Sequence, residues 1–176
     1  KNARFSTSFE TKAEFSPDGT DKVEFLLTSN SKEPLKPLAK VASGGEMSRI
    51  MLALKTIIAG SDNIPTLIFD EIDVGISGRI SGMVGEKLVH TAAVHQVLCV
   101  THSPQIAAYA DAHIVVEKRD GEDGARTSVR SLTMDERKHE IARILGISSE
   151  SESALRHAEE MLYMCGEKKR CIRSGG

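Results

Sequence analysis

Three clusters of residues could do chemistry. The first is Ser43-Gly44-Gly45-Glu46, at the start of a predicted helix. Paired glycines let a ligand approach the backbone closely. The N–H groups of a helix's first turn are unpaired and sit at the positive end of the helix dipole, which suits a phosphate. Ser43 and Glu46 also have the spacing of a capping box, which needs no ligand. That reading does not require Gly-Gly in the first turn, where a glycine costs about 1 kcal/mol relative to alanine. The second cluster is Leu67-Ile68-Phe69-Asp70-Glu71, an apolar strand ending in two acids. Such ends lie where α/β sheets bind ligands. Asp70 could hold Mg²⁺ directly or through water, and Glu71 could orient or deprotonate an attacking water. Acids at a solvated strand end are the plainer alternative. The third is Val100-Thr101-His102-Ser103, where His102 follows another apolar run and could donate to a phosphate, or be only a polar loop residue.

The elements that position these clusters follow from periodicity. Met47, Ile50, Met51, Leu54, Ile57 and Ile58 recur at three- and four-residue steps, so residues 44–59 are predicted as a helix with one apolar face, stopped by Gly60. Thr66 to Asp70 is a short continuous apolar run, predicted as a strand covered on both faces. A helix over 79–91, a strand over 97–100, a short helix over 104–110 opened by Ser103-Pro104, and a strand over 114–116 follow. A charged turn leads to a strand near 127–132, and helices near 134–145 and 151–164 close the chain. At the other end, Arg4–Phe15 and Val23–Thr28 flank the turn Ser16-Pro17-Asp18-Gly19 and predict an antiparallel hairpin. Residues 29–40, with Pro34 and Pro37, read as a loop. Strands alternating with helices after residue 60 predict an α/β fold with a mostly parallel sheet flanked by helices, and an N-terminal antiparallel hairpin beside it. One lobe is expected over 1–165, with 166–176 as a flexible basic tail.

Bulk properties narrow the class. The chain has 176 residues with 40% hydrophobic and 27% charged, enough for one domain with a real core. No apolar run approaches the roughly 20 residues of a membrane span, no leader pattern is seen, and the start at Lys1 without Met reads as a fragment or a trimmed chain. A net charge of −2 shows no global basic field for nucleic acid. Three cysteines, Cys99, Cys165 and Cys171, lack Cys-x-x-Cys spacing, arguing against a disulfide framework or zinc site and fitting a reducing cytoplasm. The basic clusters Lys118-Arg119 and Lys168-Lys169-Arg170 read as solvated charge.

The three clusters occur in order, each at the phosphate-facing end of its element. Ala42-Ser43-Gly44-Gly45-Glu46 resembles the ABC-ATPase signature motif, Leu67 to Glu71 resembles Walker B with its glutamate, and His102 matches the switch histidine. The longer strings Val41 to Arg49, Phe69 to Gly78 and Thr101 to Ala108 resemble the RecN family of SMC-like ATPases, over roughly residues 4 to 165. The resemblance implies the C-terminal half of an ABC-type ATPase head, in a protein acting in DNA double-strand break repair and recombination. It implies ATP and Mg²⁺ as cofactors. Asp70 would hold the metal, and Glu71 and His102 would be catalytic residues serving the nucleotide of their own head. Ser43, Gly44, Gly45 and Glu46 would contact nucleotide, the first three on the partner head. It further implies a homodimer closed by ATP, DNA as a partner, recombination proteins among the others, no membrane, and a cytoplasmic, nucleoid-associated location. No Gly-x-x-x-x-Gly-Lys-[Ser/Thr] is present, so the missing N-terminal P-loop half is an implied partner, and the chain alone is expected to be inactive.

Several residues depart from related patterns. Ala42 and Glu46 replace the Leu and Gln of transporter signatures, Ser77 stands where many ABC proteins carry an aspartate, and Ser103 stands where leucine is expected. Two rival functions are an ABC transporter cassette, disfavoured because Ile72-Asp73-Val74-Gly75-Ile76-Ser77 replaces Pro-Thr-Ser-Ala-Leu-Asp, and a non-enzymatic dimerisation or docking module.

Overall fold

The computed structural model describes residues 3–28, 30–40, 43–58, 63–121, 124–146 and 151–175. Ala42 of the signature string and the predicted stop at Gly60 lie outside these residues. The chain forms two compact units, Lys1–Met47 and Ser48–Gly176, where one lobe over 1–165 was expected.

In the first unit, β1 (Arg4–Ser16) and β2 (Gly19–Thr28) pair antiparallel as predicted, from Arg4↔Thr28 to Thr11↔Asp21, with a register shift before Ser16↔Gly19. Gly19 takes φ +96°, a conformation open to glycine at little cost. A two-residue strand β3 (Lys36–Pro37) adds to β2 inside the region predicted as loop. Pro37 is tolerated there because the strand lies at the sheet's edge. The helix α1 (Gly44–Ile57) begins in this unit and continues into the second.

In the second unit, β4 (Thr66–Phe69) and β5 (Gln96–Cys99) pair in parallel, with Leu67 opposite Val97 and Phe69 opposite Cys99. Parallel strands need a crossover connection between them, and α2 (Gly78–Thr91) lies in it here. Leu67 and Phe69 turn inward to join Leu52 of α1, Val84 and Leu88 of α2, Ile72 and Ile106 in one core. Burying each such side chain contributes about 1.5–3 kcal/mol. The outward residues alternate with these. Ile68 is 69% exposed, Leu98 43% and Val100 58%. The expectation of a strand covered on both faces is therefore corrected, because helices of the described residues cover one face only. Among the described residues the parallel layer is two strands wide, narrower than the mostly parallel sheet expected.

The short helix α3 (Pro104–Ala107) follows β5. Then β6 (Ile114–Gly121) and β7 (Gly124–Ser131) form an antiparallel hairpin. The helix α4 (Met134–Ile144) carries a complete capping box: Thr133 accepts from Glu136 N–H and Glu136 accepts from Thr133 N–H. The last helix, α5 (Glu152–Ser174), runs ten residues past its predicted end near 164. The flexible tail over 166–176 is thus helical through Ser174. Its inner seam, Ala154, Ala158, Cys165 and Ile172, packs on a second core with Val89, Tyr109, Ile141 and Ala142. Its cations close on acids of other elements: Lys168 on Glu86 at 2.8 Å, Lys169 on Asp111 at 2.9 Å and Arg173 on Asp111 at 2.6 Å. No helix among the described residues is long and apolar enough to cross a membrane.

Candidate functional site

The signature residues open α1. Ser43 O accepts from the N–H groups of Glu46 and Met47 at 3.1 and 3.2 Å. Among the described residues, the Ser43 hydroxyl and the Glu46 carboxylate form no capping-box pair. Ser43 and Gly44 are exposed and Gly45 is buried. These residues belong to the first unit.

The second unit assembles the other two clusters. Because β4 and β5 are parallel and paired in register, Asp70-Glu71 and Thr101-His102 leave the same end of adjacent strands. Val100 N–H donates to Phe69 O at 2.9 Å and holds the strands together up to that end. Asp70, Glu71 and His102 are all exposed there. One oxygen of Asp70 accepts from Glu71 N–H at 2.9 Å. The exposed carboxylate fits Mg²⁺, which keeps several waters and binds through one or two carboxylates together with substrate phosphates. Among the described residues, no group of three or more His, Cys, Asp or Glu could form a full protein cage.

Glu71 is a non-glycine residue at φ +57°. That conformation costs about 1–2 kcal/mol and survives only where surroundings enforce it. Here they do. Val74 N–H donates to Glu71 O at 3.0 Å, closing a turn that Gly75, at φ +75°, follows directly. Arg49 of α1 donates to both Ile72 O at 3.0 Å and Val74 O at 2.9 Å. Ser48 donates to Asp70 O at 2.7 Å. Ile72 is fully buried and anchors the turn from below. Sequence reasoning quoted Ser48 and Arg49 without giving them a role. Their spacing after the glycines was visible, but their targets are carbonyls more than twenty residues away.

Asp73 was also passed over. Its Oδ2 accepts from the Thr101 hydroxyl at 2.8 Å and from His102 N–H at 2.9 Å. Burial, followed by the carboxylates of Asp73 and Asp70, pushes the Cys99 thiol up to about 12. Cys99 therefore stays a neutral thiol near pH 7.

Ser103 has a physical role that its sequence position alone did not give. It is the N-cap of α3: its hydroxyl accepts from Ile106 N–H at 3.4 Å and donates to Gln105 Oε1 at 3.0 Å. Leucine could do neither. Gln105 in turn lies against Gly78, where a Cβ would come within 3.0 Å of its amide nitrogen.

No family model matches the chain. Curated relatives do. DNA repair protein RecN of Halalkalibacterium halodurans is 46% identical over 159 residues, 90% of this chain and 28% of that protein. RecN of Mycobacterium leprae is 49% identical over 82% of the chain and 24% of that protein, and RecN of Haemophilus influenzae is 44% identical over 92% and 29%. The chain thus spans between about a quarter and three-tenths of the relatives it matches. Among solved structures, a chain from a study of ATP-driven dimerization and DNA-stimulated activation of SMC ATPases aligns with TM-score 0.50 at 23% identity, covering 81% of each chain. An SMC head bound to the C-winged helix domain of ScpA aligns with TM-score 0.51 at 24% identity, over 75% of this chain and 38% of that one. The likeness to these two is one of fold. By its sequence, therefore, the chain is similar to part of RecN, and its α/β fold resembles that of these SMC heads.

Proposed function

We propose that this chain supplies the signature motif, the Walker B acids and the switch histidine to ATP sites formed where two heads meet, in an ATPase acting in DNA repair and recombination. The observation that carries the reading is the emergence of Asp70-Glu71 and Thr101-His102 from the same end of two parallel strands in register. Asp70 would hold Mg²⁺, whose charge offsets that developing on the phosphate oxygens. Glu71 would orient the attacking water and accept its proton. His102 would donate to the terminal phosphate. Ser43, Gly44 and Gly45, at a helix start, would bind nucleotide held on the partner head, with Glu46 beside them as a further nucleotide contact.

The nucleotide's own cradle would come from a separate P-loop half. The open face of Ile68, Leu98 and Val100 supports this, as does a cavity of about 600 Å³ bordered by β5 and by Ile114, Val115 and Val116 of β6. Alone, the chain would bind ATP weakly and turn none over. Loss of phosphate contacts after hydrolysis would open the head dimer and move bound DNA. A cytoplasmic, nucleoid-associated location and contact with recombination proteins belong to this reading, which the similarity to RecN supports. That similarity also favours this reading over a transporter cassette. A docking or dimerisation module without turnover is the second reading, favoured by the same open sheet face.

The test is co-expression with a P-loop half of a RecN-type head, with Glu71→Gln as the paired variant. ATP turnover that falls about 100-fold or more in the variant, while ATP still drives dimers, is the expected result. Undiminished turnover in Glu71→Gln removes Glu71 from catalysis. No turnover in a folded, associated wild-type pair favours the docking module.

A further inference from the structure

We propose that Asp73 is a positioning residue that ties the switch-histidine loop to the Walker B turn, an inference that rests on the ATPase reading above. A single oxygen, Asp73 Oδ2, accepts two hydrogen bonds from consecutive residues of the opposite loop, Thr101 Oγ1 at 2.8 Å and His102 N at 2.9 Å. Thr101 Oγ1 then accepts from Ser103 N–H at 3.0 Å, so the carboxylate organises three successive residues leading into α3. On its own side, Asp73 lies between Ile72 and Val74, the two residues whose carbonyls Arg49 holds, and two residues after the strained Glu71. Both anchors are thus fixed. A shift of the Glu71 turn moves Asp73, and Asp73 carries the His102 backbone with it.

Strand pairing alone does not supply this link. The β4–β5 ladder ends at Phe69↔Cys99, with Val100 N–H to Phe69 O as the last rung. Beyond it the two segments leave their strands as loops, and charge-assisted bonds to a carboxylate are the stronger kind of tether. Asp73 touches neither the Glu71 carboxylate nor the His102 ring through any described contact. It acts on them through their backbones, which is positioning and not catalysis.

The experiment uses two variants and two readouts. In Asp73→Ala the acceptor is gone. In Asp73→Asn the amide oxygen still accepts both bonds, but without charge. On the chain itself, amide hydrogen exchange at His102 is expected to rise about tenfold in Asp73→Ala and to stay within about threefold of wild type in Asp73→Asn. In the pair with a P-loop half, Asp73→Ala is expected to lower kcat about tenfold with KM for ATP little changed, and Asp73→Asn to restore most of it. Far-UV circular dichroism and the unfolding midpoint verify that both variants are folded; if the alanine variant is not, the asparagine variant and Thr101→Val carry the same readouts. Unchanged exchange at His102 overturns the tether. Raised exchange with unchanged kcat in a working pair overturns the positioning role alone. A wild-type pair that associates but shows no turnover overturns the ATPase reading beneath it, while the exchange result still decides the tether.

Discussion

Gly82 and Gly85 lie three residues apart in α2, and the same substitution should move stability in opposite directions at the two positions. Replacing a glycine by alanine inside a helix gains about 1 kcal/mol of helix propensity. At Gly82 a Cβ meets nothing within 4 Å, so Gly82→Ala is expected to stabilise by about 0.5–1 kcal/mol. At Gly85 the Cβ would lie 2.4 Å from Cδ2 and 2.9 Å from Cε2 of Tyr109. That ring is 5% exposed, and its hydroxyl donates to Glu86 at 3.2 Å, so it cannot swing aside freely. Overpacking costs about 1–3 kcal/mol, and a ring shift that breaks the bond to Glu86 adds roughly 1.5 kcal/mol. After the propensity gain, Gly85→Ala should destabilise by roughly 1.5–3.5 kcal/mol, placing the variants about 2–4.5 kcal/mol apart. Urea unfolding followed by circular dichroism reads this directly, provided the slope stays constant. A Gly85→Ala midpoint at or above wild type, with unchanged slope, would refute the reasoning that the Tyr109 ring fills the space a side chain at Gly85 would need.

Two further outcomes can be checked in the same way. Ser103→Ala removes the N-cap of α3 and should cost about 1 kcal/mol, seen as a lower thermal midpoint; no change would remove Ser103 from the capping role. Asp111→Asn tests the docking of α5. Arg173 first, and then Lys169, hold the Asp111 carboxyl down to about 2 against the opposing effect of partial burial. A depressed carboxylate stabilises fully above its unfolded range and loses that contribution as pH falls from about 4 through about 2. Asp111 is 59% exposed, so screening leaves about 1 kcal/mol. The variant should be less stable at pH 7 and converge with wild type near pH 2; a constant gap across that range would contradict the latch.

The helices were legible because their apolar residues repeat at helical spacing. The parallel pair was legible because short apolar runs alternate with helices. What escaped shares a physical cause. The seam of α5 uses Ala154, Ala158 and Cys165, small residues that give a faint apolar signal, and its cations look solvated until Glu86 and Asp111 arrive from far along the chain. The open face escaped because Ile68 is as apolar as Leu67 and Phe69, and composition does not say which face has a cover. At the candidate site, the motifs pointed to Asp70, Glu71 and His102. They did not point to Ser48, Arg49 and Asp73, because a hydrogen bond across twenty or more residues has no local pattern.

With Ile68, Leu98 and Val100 in the open, the β4–β5 pair presents apolar side chains on its uncovered face. The β4–β5 pair has no further strand on either edge among the described residues, and bare edges beside apolar side chains invite pairing with whatever chain comes near. Expressed alone, the protein should bind a dye that lights up on apolar surfaces and draw holdase chaperones. The face that would seat a complementary half would then also mark, for the cell's quality control, every copy that had failed to find one.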